Sequence, residues 1–191
     1  MQGCPDMIDY YPEDRYCKAC MKRPDRTMSG RCGKGGCDMK IAMANDHAGT
    51  QMKEEIKAYL LGQGYEVEDF GTYDNESCDL SDFVYPAALA VARGECDRGI
   101  FCDGVGYGSA LIANKINGCY AAICQDPVCA SLAREHTDSN ILCLGAKIIG
   151  GLMSMEIVKT WLSTEPLMQE KYRRRVQKVC DINDKHCVPV K

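Results

Sequence analysis

No stretch of this chain approaches the ~20 consecutive apolar residues that a membrane-spanning helix requires. No charged n-region precedes an apolar segment near Met1, so the expected location is the cytoplasm. Basic charge is not in excess: 23 Lys and Arg face 27 Asp and Glu, for a net charge of −4, and the cations form no stripe. That balance argues against nucleic acid or an anionic membrane as a partner. The dinucleotide fingerprint is missing too. The turn Gly104-Val105-Gly106-Tyr107-Gly108 spaces its glycines as GxGxG rather than GxGxxG, and the next apolar run ends in Cys124-Gln125-Asp126 without an acid well placed to hold a ribose.

What the chain has in abundance is cysteine, 14 in 191 residues. Seven lie between Cys78 and Cys143, and Cys102, Cys124 and Cys143 sit inside apolar runs as small core residues do. A secreted disulfide framework is a short chain with a poor core, whereas 46% of these residues are hydrophobic, enough for one domain with a proper core. Reduced thiols are the reading that follows. Five more cysteines, Cys4, Cys17, Cys20, Cys32 and Cys37, fall in a Gly- and Pro-rich head with neither helical nor strand period, which ends at a GKGG spacer. Residues 1–38 therefore read as an appendage to a domain over 39–191. Cys17 and Cys20 form a C-x2-C pair and Cys32 and Cys37 a wider one. Thiolates so spaced either bring two turns onto one tetrahedral zinc ion or decorate a flexible tail.

From Met39 onward, apolar runs of strand length alternate with segments of helical period. KIAMA, YEVEDFG, RGIFCD, YAAICQD and NILCLGAK read as strands, although Asp69 interrupts the alternation of the second. TQMKEEIKAYLLGQG, DFVYPAALAVARGE, GSALIANKING, PVCASLAREHTD, GLMSMEIVKTWLST and PLMQEKYRRRVQKVCDIN read as helices, with Pro86 tolerated only near the start of the second or kinking it. This alternation predicts an α/β fold: a doubly wound, Rossmann-like, parallel five-stranded sheet with helices on both faces. Ligands of such sheets bind at the carboxyl ends of the strands. The turns NDHAG, CDGVGYG, CQDP and LGAK all fall at that edge, so Asp46, His47, Asp103, Gly104, Gly106 and Gly108 are predicted to converge. His136 closes the fourth helix, on the other side of the sheet. It reaches such a site over a loop or from a neighbouring subunit, and this predicts an oligomer. Plainer readings exist for each piece: Asp46 as a helix cap, His47 as a partly buried surface residue, the glycine turn as a routine connection.

Several stretches, in order, carry a resemblance: DHAG at 46–49, VEDFGTY at 67–73, ARGECDRGI at 92–100, the GxGxG turn followed by IANK at 112–115, and REHTDSNILCLGAKIIG at 134–150. From about Met39 to Val179 the chain resembles ribose-5-phosphate isomerase B and the wider group that includes the galactose-6-phosphate isomerase subunits. The resemblance implies a homodimer or homotetramer with active sites at the subunit interface and no metal or organic cofactor. It implies interconversion of an aldose and a ketose phosphate, of the ribose 5-phosphate type or a hexose 6-phosphate, through an enediolate. That reaction needs a base beside the carbonyl, donors for the oxyanion and a group that opens the sugar ring. The amides of Gly104, Gly106 and Gly108 are candidate donors. By similarity, His136 assists ring opening, Asp46 and His47 bind sugar hydroxyls or the phosphate end, and Asn114 joins the substrate-binding set.

The sequence also departs from the family. Where the ribose enzymes carry a catalytic cysteine it has Asp103, with Cys102 one residue earlier and, by strand alternation, aimed away. A second branch places Glu just after the glycines, where Ser109 stands. The galactose-6-phosphate isomerase A subunit is similar in having Asp and Ser at these places. Asp103 is then a base, a ligand of substrate hydroxyls, or the mark of a subunit that relies on another chain; base is the reading preferred here. Its ordinary pKa of about 3.9 makes it a weak base unless desolvated. The family's GGRHxxRV phosphate element is matched by the run Glu170-Lys171-Tyr172-Arg173-Arg174-Arg175-Val176, in which Lys171 and Arg175 share a helix face. Its DYPDY element is altered to Asp79-Leu80-Ser81-Asp82-Phe83. Two functions stay open: a sugar-phosphate isomerase with Asp103 as base and His136 opening the ring, or a non-catalytic, partner-dependent subunit that binds a sugar phosphate and docks through its Cys-rich head.

Overall fold

The apolar runs that alternate with helical segments do assemble into one parallel sheet, β1 (Lys40–Asn45), β2 (Glu66–Asp69), β3 (Arg98–Asp103), β4 (Ala121–Ile123) and β5 (Ile141–Gly145), in the order β2-β1-β3-β5-β4. The computed structural model describes residues 39–188 and 190; the Cys-rich head, with Cys17, Cys20, Cys32 and Cys37, lies outside the described residues. Six helices connect and flank the strands: α1 (Thr50–Gly62), α2 (Leu80–Arg93), α3 (Tyr107–Ala113), α4 (Pro127–Thr137), α5 (Gly151–Ser163) and α6 (Glu170–His186). The doubly wound architecture is the one the alternation predicted.

Side chains of the central strands alternate between two apolar layers, as the period of two demands. Ile41, Met43, Ile100, Cys102, Leu142 and Leu144 pack with Ile56 and Leu60 of α1 and Val158 and Trp161 of α5. Ala42, Ala44, Phe101, Ile141 and Cys143 face the other way, onto Val84, Ala87 and Ala88 of α2 and Ala110 and Ala113 of α3. Register couples the strand centres, Met43 beside Ile100 and Ile100 beside Leu142. With both faces covered, the chain order reverses at β1 and β3, which opens a crevice at their carboxyl ends.

Several boundaries differ from the sequence reading, among them the end of α3, which stops at Ala113 rather than running on to Gly118. Pro86 stands well inside α2 rather than near its start, because the helix begins at Leu80. The last helix begins at Glu170, not Pro166: the amide of Leu167 donates to the carbonyl of Glu135 at 3.0 Å, which holds the preceding residues extended against α4. Local rules explain α4 itself. Asp126 accepts from the amide of Cys129 at 2.8 Å, and Pro127 fills the first turn, where its missing N–H costs nothing. Among the described residues no disulfide joins any two of the nine cysteines. Among the described residues no helix is long and apolar enough to cross a membrane.

Candidate active site

β3 delivers Asp103 to the carboxyl edge of the sheet, where it is only 2% exposed. The loop that follows wraps its carboxylate. Oδ1 accepts from the amides of Val105, at 2.8 Å, and Gly106; Oδ2 accepts from the amide of Ser109 at 2.9 Å and from its hydroxyl at 2.6 Å. Gly106 makes this wrap possible by adopting φ 84°, which L side chains avoid. Asp103 therefore shapes the loop, and one of these bonds would have to be given up before it could take a substrate proton. The Gly106 amide, one of three expected oxyanion donors, is turned onto Asp103. Cys102 is wholly buried on the opposite face, as alternation predicted, and burial pushes its thiol pKa far above the ordinary range.

The turn after β1 lies directly on this strand. The amide of Asp46 donates to the carbonyl of Cys102 at 3.3 Å, and a β-carbon on Gly49 would stand 2.1 Å from that same oxygen. Only glycine permits so close an approach. Asp46 closes the turn by accepting from the amides of Ala48 and Gly49 at 2.9 and 3.1 Å, so its carboxylate shapes the turn ahead of α1 rather than capping the helix. His47 is half-buried, and its Nδ1 lies 4.0 Å from the sulfur of Cys78. Cys78 comes from the loop between β2 and α2. That loop is tied down at Thr50, whose hydroxyl donates to the carbonyl of Asp74 at 3.0 Å.

Beneath the loop is a buried ion cluster. Lys53 Nζ, fully buried, donates to Asp69 Oδ1 and Oδ2 at 3.1 and 2.9 Å and to the carbonyl of Thr72 at 3.3 Å. It also lies 4.5 Å from the ring centre of Tyr73, whose hydroxyl donates to the carbonyl of Asp69 at 3.1 Å. Burial raises the Asp69 pKa, but hydrogen bonds from Lys57 and Lys53 outweigh that and hold it below its ordinary value. The interruption that Asp69 makes in the pattern of β2 is thus one partner of a buried pair.

A cation at the same edge escaped the sequence reading. Lys147, just past β5, donates its amide to the carbonyl of Gly104 at 2.9 Å. Its Cδ and Cε would lie 3.7 and 3.9 Å from a β-carbon on Gly104. The side chain thus runs over the glycine loop. The LGAK turn was the available signal, but its lysine carries no spacing of its own.

His136, Lys171 and Arg175 assemble elsewhere. The imidazole of His136, at the end of α4, stacks on the ring of Tyr172 at 4.7 Å, with 11° between the planes. Lys171 Nζ and Arg175 Cζ lie 4.8 and 5.6 Å from the centre of that ring. α4 starts after the carboxyl end of β4 and ends before β5 begins, so this cationic cluster stands at the amino edge of the sheet. Buried arginines underlie it. Arg134 Nη1 donates to the carbonyl of Ser139 and pairs with Asp138 Oδ1 at 2.8 Å, while Arg98 Nη1 donates to the carbonyls of Trp161 and Leu162 at 3.4 and 3.3 Å. Asn114 is committed to β4: it donates to the carbonyl of Ala121 at 3.0 Å and accepts from its amide at 2.8 Å.

Two grooves adjoin the carboxyl edge. One of 360 Å³ runs along α3, lined by Tyr107, Ala110, Leu111, Asn114, Ala121 and Ile123. The other, of 230 Å³, lies beside the Asp46–His47 turn, with Ala48, Gln51, Glu55, Ala146 and Gly150 among its walls. Among the described residues no group of three or more His, Cys, Asp or Glu side chains is arranged to hold a metal ion.

Comparison with known proteins fits this arrangement. The model of the ribose/galactose isomerase family matches residues 41–179. Ribose-5-phosphate isomerase B of Escherichia coli K12 is 38% identical over 146 residues, which cover 76% of this chain and 97% of that protein. The 4-deoxy-4-sulfo-D-erythrose isomerase of Clostridium sp. MSTE9 is 39% identical over 153 residues, covering 76% and 96%. Among solved structures, ribose-5-phosphate isomerase B of Clostridium thermocellum superposes with a TM-score of 0.75 at 44% identity, over 78% of this chain and 99% of the other.

Proposed function

The chain belongs to the ribose/galactose isomerase family of aldose–ketose isomerases, and on that premise we propose that it interconverts a small aldose phosphate, of tetrose to hexose length, with its ketose through an enediolate. The observation that carries this reading is the convergence of the Asp46–His47 turn, the glycine loop and Lys147 at the carboxyl edge, beside the point where the strand order reverses. The enediolate oxygen is held by the amides of Gly104 and Gly108 and by the Lys147 cation, charge aimed at where charge develops. Asp46 fixes the turn that presents His47 to the sugar hydroxyls.

The remaining functions come from the opposite edge of a second copy. His136 moves a proton between the ring oxygen and the anomeric hydroxyl to open the sugar, and Lys171 and Arg175, one helical turn apart, bind the phosphate. The exposed Val105, Tyr107 and Leu111, the last 66% exposed, form an apolar strip continuous with the glycine loop, and this supports a second copy seated there. The active form is thus a homodimer or a homotetramer built from such dimers. The full engagement of Asp103 by its own loop favours one other reading, a subunit that binds sugar phosphate but needs a different chain for turnover.

The test is an assay of the purified full chain against erythrose 4-phosphate, ribose 5-phosphate, allose 6-phosphate and galactose 6-phosphate, with ketose formation followed in parallel with calorimetric binding. Turnover of at least one supports the isomerase. Binding without turnover supports the partner-dependent subunit, and neither binding nor turnover overturns both.

A further inference from the structure

We propose that Cys78, in contact with His47, is the group that carries the carbon-bound proton in this isomerase. The inference rests on the isomerase reading and deepens it. An enediolate mechanism requires a side chain that can both take a proton from carbon and return it, and each obvious candidate on the glycine loop is otherwise engaged. Both oxygens of Asp103 are filled by hydrogen bonds from the loop, the Ser109 hydroxyl donates to Asp103, and Cys102 is sealed in the opposite core layer.

Cys78 differs from the other thiols at the strands. Burial pushes the thiols of Cys96, Cys119 and Cys124 up to about 12, with the Glu68 carboxylate adding to the effect at Cys96, which makes all three inert packing residues. Cys78 is only partly buried, and its sulfur sits 4.0 Å from Nδ1 of His47. Ahead of the thiol its loop is anchored twice on α1. Thr50 holds it at Asp74 and Lys53 holds it at Thr72. Two residues beyond the thiol, Leu80 Cδ2 lies 2.6 Å from where a β-carbon on Gly108 would stand, so the segment bridges the Asp46–His47 turn and the glycine loop. A thiol and an imidazole in contact form a couple in which the proton can rest on nitrogen and leave a thiolate.

The chemistry balances within that couple. From aldose to ketose, the Cys78 thiolate takes the proton from C2. The C–H electron pair becomes the C1–C2 double bond, and the carbonyl pair moves to O1, which the His47 imidazolium protonates. The neutral imidazole then removes the O2 proton, C2=O forms, and the displaced double-bond pair takes the proton back from the Cys78 thiol at C1. Thiolate and imidazolium are restored, and no oxidant, reductant or further reactant is consumed.

The test uses the full-length chain and whichever of the four aldose phosphates above it turns over. We expect Cys78→Ala and Cys78→Ser to lower kcat by about a hundred- to ten-thousandfold with KM changed only a few-fold, at an unchanged melting temperature. We expect iodoacetamide to alkylate Cys78 with parallel loss of activity, and that sugar phosphate to slow the alkylation. Retention of kcat within tenfold in both variants, or alkylation of Cys78 without loss of turnover, overturns the inference and leaves the isomerase reading standing. A wild-type chain that turns over none of the four sugars overturns both.

Discussion

At the carboxyl edge of the sheet, beside the Lys53–Asp69 pair, stands a buried carboxylate ringed by N–H groups; at the amino edge stands a pair of guanidinium groups ringed by carbonyls. Asp103 takes two amides and then the amide and hydroxyl of Ser109, while Arg98 and Arg134 donate to the carbonyls of Trp161, Leu162, Ser139 and Thr164. The contrast follows from helix direction. Helices of a doubly wound sheet start at the carboxyl edge, where unpaired amides need acceptors, and end at the amino edge, where unpaired carbonyls need donors. At both edges this inner shell is engaged with the chain's own groups, and the groups proposed above to act on substrate stand one layer further out: His47, Cys78 and Lys147 on one side, His136, Lys171 and Arg175 on the other. Neither edge of a single chain carries the whole of the proposed catalytic set, which is completed in our proposal by two copies set edge to edge.

That comparison can be broken first at the amino edge. Arg134→Ala leaves the carbonyls of Ser139 and Thr164 and the carboxylate of Asp138 buried without their donor. It should cost about 3–5 kcal/mol in urea unfolding, and a loss below about 1 kcal/mol would show that this shell is not structural. Asp103→Asn is the carboxyl-edge counterpart. Its amide group cannot accept from the loop N–H groups as the second oxygen does, so about 1–3 kcal/mol should be lost together with the loop's shape. Asn114→Ala removes both hydrogen bonds to Ala121 and should cost about 1 kcal/mol, with KM little changed if its role is to hold β4.

The smallest effect is a difference in sign on acidification. Asp69 has a depressed pKa in the folded chain, so its stabilisation is present above the unfolded value and disappears as pH falls through the folded one. Burial raises the pKa of Asp138 in spite of Arg134, so the folded state holds that proton more tightly. Stability from this group therefore declines as pH climbs from the unfolded value through the raised one. Unfolding measured across the acidic range should show Asp69→Asn flattening the loss at low pH and Asp138→Asn flattening the opposing slope. Identical profiles for the two variants would remove the asymmetry between the edges.

Much of this was legible in the sequence, and for a specific reason. Strands such as KIAMA and RGIFCD are buried on both faces, so their apolar runs are continuous and their order alone implies a parallel sheet. The convergence of Asp46, His47 and Asp103 followed from the same rule, and the amide of Asp46 does reach the strand of Asp103. What the pattern could not convey was occupancy. Whether the Asp103 carboxylate faces a ligand or its own loop depends on the φ of Gly106 and the hydroxyl of Ser109, neither of which leaves a periodic trace. Cys78 and Lys147 lie in irregular segments, and the contact between Cys78 and His47 joins residues 31 apart. The late start of α6 was likewise decided by a tertiary bond, from Leu167 to Glu135, that no local propensity encodes.

The most direct test of the two-edge account is complementation between inactive chains. His47→Ala and His136→Ala chains, each inactive alone, are mixed in equal amounts, dissociated and refolded together, and assayed on the aldose phosphate that the wild type turns over. Half of the dimers then pair one chain of each kind and carry one intact composite site of two, so the account predicts recovery of about a quarter of wild-type activity. Activity no higher than the sum of the separate variants would mean that each site is built within one chain, and would contradict it.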